Sequence, residues 1–210
     1  MKVILVCGSP HEKGCTYTAL QEIAQVLEKE NIETEIFQLG TKPISGCIAC
    51  RACAGIGKCA INDKVNEFID LAKEADGFIF GSPVHFAAPS AAITAFMDRV
   101  FYSGKQGGTN PFYLKPAAAI VSARRGGTTA AFDQLNKYFT ISEMPVISSR
   151  YWNMVHGASA ADAELDLEGL QTMRNLARNV AFLIKSIALG KEKYGMPLRE
   201  KSSITNFIKR

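Results

Sequence analysis

Four cysteines fall close together in the 210-residue chain, at Cys47, Cys50, Cys53 and Cys59, with two, two and five residues between them. Three thiolates at such short intervals reach one small centre, and a fourth on a longer tether closes it, which is how compact four-iron clusters are held. Structural zinc takes the same donors but favours two separated cysteine pairs. Free or disulfide-prone thiols are the third reading of the spacing. A second concentration of chemistry is Cys7-Gly8-Ser9-Pro10-His11-Glu12-Lys13-Gly14-Cys15-Thr16, set between an apolar run and a helical pattern. The hydroxyls of Ser9 and Thr16, the charge of Lys13 and backbone N–H groups at a helix start would together cradle a phosphate. The loop is neither Walker A nor G-x-G-x-x-G, and an ordinary capped strand-to-helix turn is the plain alternative. Two further loops complement it. Gly81-Ser82-Pro83-Val84-His85-Phe86 offers a flat apolar and aromatic wall, and Ser122-Ala123-Arg124-Arg125-Gly126-Gly127-Thr128 has glycines that let backbone amides approach a planar polar ring. Taken singly, His85 reads as a structural histidine and the Arg124–Arg125 pair as solvated charge.

Such residues need elements that bring them to one edge. Short apolar runs at residues 2–7, 77–80, 117–121 and 145–152, with an alternating stretch at 32–39, read as five strands. Helical periodicity lies between and after them, at 16–29, 65–74, 90–102, 129–141 and 165–189. Strict alternation predicts an α/β fold, a doubly wound five-stranded parallel sheet with helices on both faces. In open sheets of this kind ligands bind at the carboxyl ends of the strands, where the loops above emerge. One domain over residues 1–190 is expected, with a Cys-rich loop at 40–63 and a tail or arm at 191–210. Loops as long as 40–63 and 103–115 in a compact domain are usually functional. The second of these carries Phe112 and Tyr113, and exposed aromatics there would favour a partner surface, hence a homodimer or a dimer of dimers.

Lys and Arg number 24 against 20 Asp and Glu, a net charge of 24 − 20 = +4, and the basic residues form no stripe, so nothing points to nucleic acid. No apolar run is long enough to cross a bilayer, and the amino-terminal run is too short for a signal peptide. No membrane association and a cytoplasmic location are therefore expected, where cysteines stay reduced and serve metal or redox chemistry.

The residues together resemble the flavodoxin-like NADPH-dependent FMN reductases, and within them the iron-sulfur flavoproteins. The resemblance covers roughly the first 150 residues. It rests on Gly8-Ser9-Pro10 with Gly14-Cys15-Thr16, on Gly46-Cys47-Ile48-Ala49-Cys50 through Gly57-Lys58-Cys59, on Gly81-Ser82-Pro83-Val84, on Asp98-Arg99 and on Arg125-Gly126-Gly127. It implies that Ser9, His11, Lys13, Cys15 and Thr16 hold an FMN phosphate, although relatives often carry Asn where Cys15 stands. It implies that Ser82, Pro83, Val84, His85 and Phe86 line the isoalloxazine, and that Ala123, Arg124, Arg125, Gly126, Gly127 and Thr128 meet its pyrimidine edge. NAD(P)H would be the co-substrate, passing hydride to the flavin, which would then reduce a small-molecule or protein acceptor with no general acid required. If the four cysteines hold a 4Fe-4S cluster, the flavin would release electrons singly through it, and ferredoxin would be a natural donor. Two other classes share the architecture. A thiol phosphatase or arsenate reductase would use Cys7, but Lys13 lacks the bidentate grip of Arg and no Asp-Pro pair supplies the acid. A flavodoxin-type carrier is usually acidic, and this chain is slightly basic.

Overall fold

The computed structural model describes residues 1–108, 110–200, 203 and 205; the remainder of the expected tail lies outside the described residues. Strand β1 (Lys2–Cys7) leads into helix α1 (Cys15–Lys29) and β2 (Glu33–Gln38), then α2 (Lys64–Glu74) and β3 (Gly77–His85). A two-residue strand β4 (Ala88–Pro89) folds back on β3 before α3 (Ala91–Gln106). There follow β5 (Ala117–Ala123), α4 (Thr128–Ile141), β6 (Met154–His156), α5 (Ala160–Leu165) and α6 (Leu167–Tyr194). The main sheet is parallel throughout, in the order β2-β1-β3-β5-β6. Because β1 is the start and lies inside the sheet, the chain winds first one way and then the other, and the carboxyl ends of β1, β3 and β5 open at the switch point.

The apolar runs earn their burial on two faces. Ile4, Val6, Phe78, Phe80, Ala117, Ala119 and Val121 point toward α2, α3 and α4. Their neighbours Val3, Leu5, Cys7, Ile79, Ala118 and Ile120 point toward α1 and α6. The first layer is packed with phenylalanine, including Phe37, Phe68, Phe96, Phe101, Phe112 and Phe139, while the second is aliphatic. Alternation within a strand thus assigns each side chain to one of two cores.

Three expectations need correction. The fifth strand is not residues 145–152 but Met154–His156, with a single bridge between Ala117 and Val146 upstream. Between those points Asn153 fills the ladder with its side chain, its Nδ2 donating to the Ala119 carbonyl, while Ser149 turns away and donates to the Thr172 carbonyl on α6. The last helix is two, because Asp166 ends α5 and caps α6 by accepting from the Gly169 N–H, and Ser159 and Asp162 form a reciprocal capping box at the start of α5. Helix α6 also continues past residue 190 to Tyr194, and Arg199 beyond it pairs with Glu143 and lies over the Tyr113 ring. Finally, α3 extends through Gln106 and Phe112 is fully buried, so the 103–115 segment does not present its two aromatics as a pair on the surface.

Candidate functional site

Helix α1 begins at an extended Gly14 with no side-chain cap and no acidic residue in its first turn. Its leading N–H groups are left for a ligand, and a helix amino end with open N–H groups favours an anion. These groups face a cavity of about 480 Å³ at the carboxyl edge of the sheet, lined from the first loop by Ser9, His11, Lys13, Gly14, Cys15 and Thr16. Pro83 and Val84 near the end of β3, and Ser122, Ala123 and Arg124 at the end of β5, form further walls. Gly157, Ala158 and Ser159 after β6 close it.

The first loop is held in place from several sides. The Ser9 carbonyl accepts from Gln38 Nε2 at 2.7 Å, and the Ser9 hydroxyl oxygen accepts from the His11 N–H at 3.1 Å. That leaves the Ser9 O–H proton free to donate. Thr16 and Ser122 share a hydrogen bond of 2.7 Å between their buried hydroxyls. The Cys15 thiol reaches the carbonyls of Ser159 at 3.1 Å and Gly157 at 3.4 Å, and burial pushes it above its ordinary pKa. A neutral thiol that donates to carbonyls ties α1 to the β6–α5 loop, and only the Cys15 backbone N–H remains for a ligand.

The other expected residues divide. Ser82 is buried and donates to its neighbour's Pro83 carbonyl while accepting from the Ser90 N–H, so it shapes the turn without lining the cavity. His85 lines a neighbouring cavity of about 510 Å³ with Gly8, Pro10, Lys42 and Ile44. Phe86 and Ala87 form the turn of the β3–β4 hairpin, both with positive φ (51° and 59°), and the Phe86 ring is fully exposed. Arg125 and Gly126 are exposed, and Thr128 is buried at the start of α4. Gly127 has φ 93°, and a Cβ there would stand 2.8 Å from the Ala87 Cα, so glycine is what lets the third loop lie against the hairpin tip. Gly14, Ser122 and the 157–159 segment were outside the expected set. Ser122 could have been found from its place at the end of a strand, whereas 157–159 was hidden by the misplaced fifth strand. Cys7 is buried in β1, its thiol pushed up by burial, and it does not face the cavity, which removes the nucleophile a thiol phosphatase would need.

Cys47, Cys50, Cys53 and Cys59 line one separate pocket against α3, with Ile48, Arg51, Ile61, Arg99, Tyr102 and Ser103. This pocket and the α1 cavity share no lining residue. Cys47 and Cys50 are exposed, Cys59 is half-buried and Cys53 is buried. Burial holds the Cys53 thiol above its usual range, and charge on Cys59, Cys50 and Cys47 pushes the same way. Among the described residues, no three His, Cys, Asp or Glu side chains are grouped closely enough for a single metal ion. The loop is docked by glycine. The Gly55 N–H donates to the Gln106 carbonyl at 2.9 Å, and a Cβ at Gly107 would meet the Gly57 Cα at 2.5 Å, backbone against backbone. Gly107→Val should therefore lift the 53–59 segment off α3. In metal-free protein, alkylation mapped by mass spectrometry should then label Cys53 at a rate approaching that of exposed Cys47 and Cys50, and a rate unchanged from wild type would show that the glycine contact does not hold the loop.

The sequence profile described as NADPH-dependent FMN reductase matches residues 1–159. An iron-sulfur flavoprotein of Methanocaldococcus jannaschii is 36% identical over 199 residues, covering 89% of this chain and 99% of the relative. Among solved structures, a flavoenzyme NAD(P)H:(acceptor) oxidoreductase from Paracoccus denitrificans superposes with a TM-score of 0.65 at 18% identity, covering 88% of this chain and 97% of the other. A flavodoxin from the domain Archaea does so with a TM-score of 0.60 at 18% identity, covering 88% and 99%. At these identities the two structures show a shared flavodoxin-like fold. No described helix is long and apolar enough to cross a membrane.

Proposed function

The chain belongs to the NADPH-dependent FMN reductase family, and from that we propose an FMN-dependent oxidoreductase that draws electrons from NAD(P)H and passes them to a small-molecule or protein acceptor. The observation that carries this reading is the uncapped amino end of α1 opening into a cavity walled by the carboxyl ends of β3 and β5 and the loop after β6. When bound, FMN supplies two-electron chemistry at its ring system, which no side chain here could perform. The protein's part is placement and charge. The open N–H groups of α1, the Ser9 and Thr16 hydroxyls and the Lys13 ammonium suit a terminal phosphate dianion, and one such cradle with no dinucleotide fingerprint favours FMN over FAD. Pro83 and Val84 give a flat apolar support for a ring. Arg124 and the backbone around it bring positive charge and amide donors to the opposite wall, where they favour negative charge on a ring edge.

The four-cysteine pocket carries the second half of the reading. Four thiols line one pocket, the donor set that a four-iron cluster takes, and Cys47, Cys50, Cys53 and Cys59 would hold a 4Fe-4S cluster. The Methanocaldococcus jannaschii relative, named an iron-sulfur flavoprotein, supports this. Such a cluster supplies one-electron exchange, which would admit ferredoxin as a partner.

Heat-released cofactor should run as FMN on chromatography; FAD, or no flavin after reconstitution, overturns the flavin reading. Steady NAD(P)H consumption with a soluble acceptor separates a reductase from a carrier, which would stop after one turnover. Anaerobic reconstitution should give about four irons per chain, and Cys50→Ala should abolish that uptake while FMN stays bound. Iron near zero with four titratable thiols would mean a simple FMN reductase.

A further inference from the structure

Helix α3 carries Phe96, Val100 and Ser103 on its buried side, and among them a fully buried arginine, Arg99. A guanidinium in such a place costs several kcal/mol of desolvation unless every donor is matched. Here all five are engaged. Nη1 donates to Asp63 Oδ2 at 2.6 Å and to the Ser45 carbonyl at 3.3 Å. Nη2 donates to Asp63 Oδ1 at 2.9 Å and to the Ile61 carbonyl at 2.9 Å. Nε, the fifth, donates to Cys59 Sγ at 3.3 Å. Every partner belongs to the cysteine loop, on both sides of the four thiols, so the loop wraps around one planar cation.

Four of these contacts fix the plane of the fork, and the Nε–H then has one direction, onto sulfur. The main chain of Cys59 is fixed independently, since its N–H donates to Asn66 Oδ1 at 2.8 Å and Asn66 Nδ2 donates to its carbonyl at 2.9 Å. A neutral thiol is a weak acceptor, whereas a thiolate receiving a guanidinium N–H makes a charge-assisted bond. Asp63 and the two carbonyls match four donors, and the fifth is matched by one of the four clustered sulfurs. The fifth donor makes chemical sense when Cys59 is a ligand sulfur. No carboxylate lines the cysteine pocket, and its charged side chains are Arg51 and Arg99, with Asp63 on the other side of the guanidinium.

We propose that Arg99 is a positioning residue of the four-cysteine site, fixing the Cys59 sulfur and raising the reduction potential of the cluster held there. The proposal rests on the cluster reading above. Adding an electron to a cluster adds negative charge to its sulfurs, and a donor and a positive charge at one of them favour that state. The aspartate opposes the charge and so lowers the potential that the bare guanidinium would give.

The test uses the full chain, reconstituted anaerobically with iron and sulfide, as wild type, Arg99→Met and Asp63→Asn. Iron content, FMN content and the midpoint of a dithionite titration with redox mediators are read for each. Arg99→Met should make one-electron reduction about tenfold less favourable, a shift of about 59 mV to lower potential for a one-electron couple. Asp63→Asn should move the potential the other way, because it removes the opposing charge and leaves the guanidinium. A loop staple predicts neither shift. Wild type that takes up no iron defeats the cluster reading itself. Wild type with about four irons, beside variants of unchanged potential, defeats only the role of Arg99. If Arg99→Met cannot keep a cluster, Asp63→Asn decides alone, and an unmoved or lowered potential overturns the proposal. Loss of iron from both variants with FMN retained makes Arg99 a fold clamp and overturns it as well.

Discussion

Replacing Ser9 by alanine and Thr16 by valine together should weaken FMN binding by about a hundredfold or more. Both residues are almost fully buried at the rim of the α1 cavity, so neither hydroxyl is exposed enough to exchange freely with bulk water. The Ser9 oxygen accepts from the His11 N–H, which leaves its proton to give, and Thr16 shares one hydrogen bond with Ser122, which leaves that pair one proton to give. A hydrogen bond to a charged acceptor contributes about 1.5 to 3 kcal/mol, so two lost bonds at the lower end already amount to about 3 kcal/mol, or two powers of ten in Kd. The helix N–H groups and Lys13 stay, so binding weakens without vanishing. Thr16→Val also leaves the Ser122 hydroxyl unpaired, at about 1 kcal/mol of apo-protein stability. Quenching of FMN fluorescence by apo-protein measures the affinity, and thermal melting of the apo form measures the second effect. Thr16→Ser keeps the hydroxyl and should restore most of the affinity to that position. A Kd within a few-fold of wild type for the double variant would place the phosphate somewhere other than the first loop.

This loop was legible because its chemistry is local. A strand followed at once by Gly8-Ser9, a helix opening without a capping side chain at Gly14, and hydroxyls and a lysine between them are all visible in one short stretch. The cysteine spacing was legible for the same reason, and all four thiols do line one pocket. What the sequence hid is what depends on distant partners. The 157–159 wall follows a strand of three residues whose upstream ladder is completed by the Asn153 side chain, so hydrophobic periodicity placed the strand too early. Arg99 sits at a core position of an amphipathic helix, and only the three-dimensional return of Ser45, Cys59, Ile61 and Asp63 explains a cation there. Ser82 and His85, expected to face a flavin ring, follow the hairpin that β3 makes with β4, and one turns inward and the other toward a different cavity. A turn with positive φ at Phe86 and Ala87 is not a pattern that these residue types announce.

Phe112 shows the same lesson with a large energetic consequence. Gly107, Gly108 and Pro111 around it read as a surface loop, yet its ring is 0% exposed and packs 4.7 Å from Phe101, 5.5 Å from Phe78 and 6.5 Å from Phe68, centroid to centroid. Asn110 turns the chain inward by accepting the Phe112 N–H at 3.1 Å. The ring lies on α3 at Gly104, where a Cβ would meet Phe112 Cε2 at 2.9 Å. Phe112→Ala should therefore cost about 3 to 5 kcal/mol of stability, transfer and cavity together, and lower Tm by roughly 10 °C in a chain of this size. An interface role predicts something else, a change in association with little effect on the melting of the chain. Sedimentation at micromolar concentration should give the same association state as wild type. The packing also fixes the sign of a second substitution. Gly104→Ala should destabilise wild type, where the new methyl meets the ring. In the Phe112→Ala background it should stabilise, because the methyl enters the vacated space and alanine is the better helix former by about 1 kcal/mol. Equal effects of Gly104→Ala in the two backgrounds, read from denaturant midpoints, would mean that the ring does not rest on α3.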